Sequence, residues 1–284
     1  MQHYWFGDCD QSGCTPAEGG PGELARRLRE IRTDIRTYRP LRWEEARDCG
    51  MVADREEYLR LLGEVCMLHA EEGIADLLGG REQALLQMVR MLDEIDGVVN
   101  LLTERATDWF RTVRPTFTRK YRAMNADRVR SLIRKEGPET MKSVIREVDR
   151  LRKIRSALSR EISAEAAVVL PNSSALVGGL VAARLLSAAG GLDQLARMPG
   201  STIQVLGAGG ALFSHMRSGS PPPKHGIIFQ HRRVHNAPRE VRGRVARVLA
   251  AKLSIAARLD RFRGAPDSAF IEEAQARIDA VMAG

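Results

Sequence analysis

His231 and His235 stand four residues apart, the spacing that puts two imidazoles on one helix face where they could share a metal ion. No Cys, Asp or Glu occurs from Arg217 to Arg239 to complete a ligand shell or orient a ring, so no metal is expected there. Ser214, Ser218 and Ser220 lie near His215 and His225, but nothing around them resembles a strained nucleophile turn, and no catalytic residue is expected. A third chemistry is suggested by IQVLGAGGALFSHM, where a short apolar run meets Gly207, Gly209 and Gly210 before a helical pattern. The third glycine is displaced from a dinucleotide fingerprint, and PPPKHG occupies the place where an acidic ribose contact belongs. The run reads as a tight loop between helices. Its backbone N–H groups could still face a phosphate at a helix start, and a nucleotide-binding enzyme using GAGG is the alternative of a different class. No cofactor is expected.

Charge gives the stronger signal. The chain carries +8 overall, but residues 41–104 net −9, residues 105–170 net +9 and residues 217–263 net +10. Within SPPPKHGIIFQHRRVHNAPREVRGR, Lys224, Arg232, Arg233, Arg239, Arg242 and Arg244 face the single acid Glu240. Arginine and lysine neutralise phosphates and release counterions, while His and Gln stack on or hydrogen-bond to exposed bases. Arg217, Lys224, His225, Gln230, His231, Arg232, Arg233, Arg242 and Arg244 are therefore the candidate RNA-binding surface. A solvated helix face does not need such an excess of one sign.

These groups must be held by a mainly α fold. Residues 1–22 read as a short apolar opening and a turn-rich loop. Leu24, Leu28, Ile31 and Ile35 recur at helical spacing over 23–38, and acidic helices follow over 41–78, closing a small N-terminal domain near residue 90 that leaves room for an α/β make-up. Residues 91–170 read as a helical arm: one pattern runs to Pro115, and a second runs from 127 to 167 with a break at Gly137 and Pro138. Met141, Val144, Val148, Leu151, Leu158 and Ile162 lie on a seam spaced by three and four, with Arg155 on one seam position. That seam fits a coiled coil, an antiparallel hairpin or a helix packed on its own domain, and Val144, Val148, Leu151 and Leu158 are the candidate dimerisation residues. From Pro171 to 284 small helices alternate with loops, with Asn172 or Ser173 as a helix cap and Gly190 with Gly191 as a stop. Cys9, Cys14, Cys49 and Cys66 fit neither a zinc spacing nor a disulfide framework and are expected as free thiols in a reducing compartment. The most apolar stretch is interrupted by Arg184, so no membrane span is expected, and MQHYWFGDCD lacks the features of a signal peptide. These two readings predict an intracellular protein.

The residues then become recognisable. Residues 171–262, with MPGSTIQVLGA, PKHGIIFQH and AAKLSIAARLD, closely resemble the Nop domain of nucleolar box C/D proteins, of a spliceosomal tri-snRNP assembly factor and of their archaeal counterpart. LDEIDGVVNLLTERATDWF is similar to the family's entry into its coiled coil, whereas residues 1–90 match only loosely. The resemblance implies an N-terminal domain (1–90) that binds the S-adenosylmethionine-dependent fibrillarin methyltransferase, an arm (91–170) that pairs two copies, and a Nop domain (171–284). This last domain would grip a box C/D guide RNA together with a small ribosomal-type kink-turn-binding protein. It also implies contacts from Gly207, Ala208, Lys224, His225, Gln230 and His231. The chain departs from the family at Gly209 and Gly210, where archaeal relatives usually show Glu-Lys, and after DWF, where only Pro115 of the usual His-Phe-Pro-Glu is kept. The function implied is a non-enzymatic scaffold for guided ribose 2′-O-methylation, cytoplasmic in an archaeal-type cell and nucleolar in a eukaryotic one. The alternatives are a spliceosomal-type assembly factor and a general RNA chaperone.

Overall fold

The computed structural model describes residues 2–10, 13–31, 42–114 and 126–283, and the chain divides into two compact units, 1–80 and 81–284. The fold is mainly α with a small N-terminal sheet. Among the described residues no helix is long and apolar enough to cross a membrane. Ile35 and Pro115, two of the residues used above, lie outside the described residues.

In the first unit, β1 (Gln2–Tyr4), β2 (Gly7–Cys9) and β3 (Cys14–Pro16) form an antiparallel meander in the order β1-β2-β3. The expected opening and loop is thus a sheet, because three-residue strands are too short to show alternation in sequence. Helices α1 (Pro21–Ile31), α2 (Trp43–Asp48) and α3 (Arg55–Leu78) complete the unit. Trp5, Phe6, Leu24, Ala25, Ala46, Val52, Tyr58 and Val65 form its core. Asp54 starts α3 by accepting from Glu57 N at 2.8 Å, and Glu57 reaches back to Ala53 N at 2.8 Å, so two otherwise unpaired donors are satisfied. The cysteines, expected as free thiols that fit neither a zinc spacing nor a disulfide framework, are not spread evenly through the unit. Cys9, Cys14 and Cys49 converge on one point, and only Cys66 stands apart, exposed on α3.

The second unit opens with α4 (Arg81–Val113), so the position near residue 90 expected to close the N-terminal domain lies inside a helix of about 50 Å. Helices α5 (Ala126–Glu136) and α6 (Glu139–Val169) follow, separated at Gly137 and Pro138 as the sequence indicates. α4 and α6 form an antiparallel hairpin. Ala106 and Phe110 meet Met141 and Ile145, Ile95 and Val99 meet Val148, and Leu85, Leu86, Val89 and Leu92 share a core with Ile162 and Ala166. The seam is therefore filled within one chain. Val148 is 0% exposed, Leu151 and Leu158 lean on the same contact, and Val144 is half-buried. Val148, a candidate dimerisation residue, is thus enclosed by the hairpin of its own chain. Arg155, the charged seam position, is answered across the hairpin by Asp96, with Nη2 3.1 Å from Oδ2.

The rest of the unit consists of α7 (Pro171–Val177), α8 (Gly179–Ala189), α9 (Leu192–Arg197), α10 (Gly200–Val205), α11 (Gly209–Ser218), a 3₁₀ turn (Ile227–Gln230), α12 (Arg232–His235), α13 (Arg242–Phe262) and α14 (Ser268–Ala283). α13 is the central core element of the unit. It buries Val245, Ala246, Leu249, Ala250, Leu253, Ala256 and Ala257 and leaves its arginines along the remaining face. The cap expected from Asn172 or Ser173 comes instead from Asp260 of α13, a buried carboxylate that accepts from Asn172 N at 2.7 Å, Asn172 Nδ2 at 2.9 Å and Ser173 N at 3.0 Å. A negative charge at a helix start answers both the unpaired N–H groups and the dipole. α8 packs closely on α6 because Gly179 has no side chain: a Cβ there would stand 2.8 Å from Ser163 Cα. Gly190 ends α8 in the left-handed conformation, as its sequence position implies.

Candidate nucleic-acid interface

The candidate residues lie in the loop 206–208, on α11, and along the path from Lys224 through the 3₁₀ turn and α12 to the start of α13. α10, not a strand, precedes the glycine loop, so the strand–turn–helix context of a dinucleotide site is missing. Gly207 adopts φ +82°, and a Cβ would come within 2.5 Å of Ile227 Cγ1; its backbone is held against the 3₁₀ turn because nothing larger fits. Ala208 precedes α11 with a half-buried side chain. Gly209 and Gly210 open α11 into free space, with no neighbour within 4 Å of a built Cβ.

α11 buries none of its residues. Its apolar Phe213 and Met216 are 65% and 78% exposed, and Leu212 is exposed beside them. The family resemblance implies contacts from the GAGGALFSHM loop and helix, but the residue types alone do not single out Leu212, Phe213 and Met216 as exposed. Exposed apolar residues grouped in this way are what a protein partner would cover.

The arginines and histidines divide into two groups. Arg217, Lys224, Arg232 and Arg244 are exposed, and none forms an ion pair among the described residues. The other candidates are used inside the fold. Arg233 donates to Asp279 Oδ2 at 2.8 Å, and Gln230 Oε1 accepts from Arg184 Nη1 at 2.6 Å. Arg242 donates to the carbonyl oxygens of His235 at 3.3 Å and Ala237 at 3.0 Å. The sequence could not separate the two groups, because each partner lies on a distant element.

Phe229, to which the sequence assigns no role, organises this region. His225 stacks on it at 4.4 Å, His235 lies against it at 5.1 Å, and the Arg242 guanidinium sits over its ring at 5.6 Å. The i, i+4 spacing of His225 and Phe229 was the available signal. Burial, followed by Arg242 and Lys224, pushes the His225 pKa down. His231 is half-buried, and burial with Arg233 and Arg232 nearby pushes its pKa down to about 4, so it is neutral near pH 7. Its Nδ1 has no hydrogen-bond partner among the described residues. His231 and His235 do not form part of a metal-ligand cluster there; the one group of three or more convergent ligands among the described residues is the cysteine trio.

Comparison with known proteins fits this geometry. The family model described as "Nop: snoRNA binding domain, fibrillarin" matches residues 116–282, more than half of the chain and all of the surface just described. The chain belongs to the Nop family. Its Nop region is similar to an uncharacterised NOP5 family protein of Methanocaldococcus jannaschii, 57% identical over 90 residues that cover 32% of this chain and 22% of the relative. Nucleolar protein 56 of Homo sapiens is 28% identical over 238 residues, covering 70% of this chain and 40% of that protein. A crystal structure of a fibrillarin/Nop5p complex contains a chain similar over 98% of both lengths, at 28% identity and a TM-score of 0.52. The chain thus spans between about a fifth and two-fifths of the length of these curated relatives. In the Nop region, unpaired cations and the exposed face of α11 occupy one continuous stretch of sequence, Gly207 to Arg244.

Proposed function

We propose that this Nop-family chain is the non-catalytic scaffold of a box C/D guide ribonucleoprotein, holding guide RNA and a kink-turn-binding protein through its second unit and the fibrillarin methyltransferase through its first. The carrying observation is the pairing of α11, whose apolar residues face outward, with the unpaired cations Arg217, Lys224, Arg232 and Arg244. An apolar helix face suits a protein surface and free guanidinium groups suit phosphates, so a composite of RNA and a small protein satisfies both. Gly207 and Ala208 hold this helix in place. His225, Gln230, His231, Arg233 and Arg242 act as the internal support of the surface.

Fibrillarin binding is supported by the solved complex in which the similar chain pairs with fibrillarin. The first unit also exposes Leu59, Met67, Ile74 and Leu78 along α3, an apolar stripe that a protein partner would cover. Pairing of two copies through the hairpin would use its exposed apolar residues, Val98, Leu101, Trp109 and Ile154, since Val148 is already enclosed. The scaffold's contribution to the reaction is positioning: it brings the enzyme's methyl donor to the target 2′-hydroxyl. Nucleolar placement follows for eukaryotic relatives named as nucleolar proteins, and cytoplasmic placement for an archaeal-type cell.

Reconstitution tests the proposal. Purified chain, fibrillarin, kink-turn protein and box C/D RNA should give site-directed methyl transfer that disappears when any component is omitted. Unchanged transfer without this chain would overturn the scaffold role. Equal RNA affinity with and without the kink-turn protein would favour a general RNA chaperone.

A further inference from the structure

The three cysteines of the first unit are brought together by two separate elements. Cys9 ends β2 and Cys14 begins β3, and the two are paired across the hairpin with their Cα atoms 4.1 Å apart. The turn between them is held by Asp10 N donating to Gly13 O at 2.9 Å and Gly13 N to Asp10 Oδ1 at 3.1 Å. Cys49 arrives from the end of α2, 35 residues later, with its Cα 5.0 Å from that of Cys14. Gly7 admits it: a Cβ at that position would stand 3.0 Å from Cys49 Sγ. All three sulfur atoms lie within 4.8 Å of one another, and Cys49 is buried.

A disulfide does not account for this arrangement. Cys14 Sγ stands beside both Cys9 and Cys49, yet a sulfur takes part in one disulfide, so either pairing leaves a third thiol pressed against the bond. Three thiolates alone would repel one another in a partly buried site. A divalent ion removes that repulsion. Ligands at the usual zinc–sulfur length of about 2.3 Å in tetrahedral geometry place their sulfurs about 3.8 Å apart, inside the 4.8 Å limit that encloses all three sulfurs here, so a metal would need Cys14 Sγ only to draw back from its two neighbours.

We propose that Cys9, Cys14 and Cys49 form a three-thiolate site for a zinc-class divalent cation that ties the N-terminal sheet to α2. The fourth tetrahedral position is left to solvent. On binding, each thiol gives its proton to solvent and its sulfur lone pair to the metal, so affinity rises with pH. The site meets a structural need: strands of three residues in a unit of 80 bury little apolar surface, and small units of this kind rely on staples. This inference does not depend on the proposed RNA-binding role.

The test uses the full chain purified under reducing conditions without chelator. Elemental analysis and native mass spectrometry should find one zinc ion per chain, and the cobalt(II)-loaded protein should show thiolate-to-cobalt charge transfer with the intense visible bands of a tetrahedral site. Cys14→Ser should lose both signals, whereas Cys66→Ser should keep them. Wild-type protein that takes up neither zinc nor cobalt overturns the proposal, as does a mapped disulfide between two of the three cysteines that persists in reducing buffer. Because the cobalt spectrum is read on wild-type protein, a misfolded variant leaves the test intact.

Discussion

Arg184 Nη1 donates to Gln230 Oε1 at 2.6 Å, while Arg184 Nη2 lies 3.2 Å from Asp93 Oδ1 and 3.4 Å from Asp96 Oδ2. One guanidinium thereby joins the 3₁₀ turn that supports the candidate interface to the α4–α6 hairpin, where Asp96 also holds Arg155. The side chain is 16% exposed, so its charge is mostly removed from water and depends on these partners.

Arg184→Ala is expected to destabilise the second unit by about 2 to 3 kcal/mol, since it leaves Asp93 and Asp96 without that partner and removes a packed stem. Arg184→Lys should recover only part of this, because an ammonium cannot span three acceptors in one plane. Thermal unfolding of the three proteins at equal ionic strength measures both; equal melting temperatures for wild type and Arg184→Ala would show that the network contributes nothing.

Asp260→Asn keeps the shape of the side chain that caps α7 and removes its charge. The carboxylate now accepts from two backbone N–H groups and the Asn172 amide, and the neutral amide can replace only part of that set. A loss of about 2 to 4 kcal/mol is expected, or roughly 5 to 12 °C in melting temperature for a unit of this size. Calorimetry of the two proteins decides the matter.

His231 sets a pH dependence. Its folded pKa of about 4 is below the ordinary histidine value of 6.5, so between these values the unfolded chain binds the proton and the folded chain does not. Stability from this residue is therefore full above pH 6.5 and is lost as pH falls toward 4. The ceiling is about 3 kcal/mol, and half-burial makes the effect smaller. Denaturant titrations at pH 7, 5.5 and 4.5 on wild type and His231→Gln should show a flatter profile in the variant; parallel profiles would remove His231 as the cause.

The glycines of the 207–210 loop separate by role. Gly207→Ala forces a side chain into the left-handed region and against Ile227, and should cost about 1 to 3 kcal/mol. Gly209→Glu with Gly210→Lys, the pair usual in archaeal relatives, meets open space and replaces two poor helix formers at the start of α11. That double variant should melt no lower than wild type and bind the kink-turn complex more tightly. Calorimetry and titration of a labelled complex read the two effects separately.

Much of this architecture was legible in the chain. Gly137-Pro138 and Gly190-Gly191 end helices where they stand, and the seam from Met141 to Ile162 is the buried face of a long helix, because helical period and backbone breakers are local properties. What was not legible depends on distant partners. Nothing near Asn172 announces that Asp260 will cap it, nothing near Cys9 and Cys14 announces Cys49, and the separation of free from engaged arginines is settled by Asp279 and by the backbone around Ala237. The strands escaped for a different reason: three residues carry no measurable period.

The adjacent residues Arg232 and Arg233 give the sharpest test of the interface, because they have the same chemistry and nearly the same place in sequence but different surroundings. Arg232 is exposed with no ion pair among the described residues, while Arg233 is 18% exposed in its side chain and joined to Asp279. Removing Arg232 should leave the melting temperature within about 1 °C, since unpaired surface charges contribute little to stability. It should weaken RNA binding, and the slope of log affinity against log salt should become shallower by about one, the change expected when one phosphate is no longer neutralised. Arg233→Ala should do the reverse, lowering the melting temperature while leaving the salt slope within error, because its charge is already neutralised in the free protein. Fluorescence anisotropy on a box C/D RNA carrying the kink-turn protein, repeated across a salt series, measures both slopes. Identical slopes for wild type and Arg232→Ala would move the phosphate track away from α12 and onto Lys224, Arg217 and Arg244.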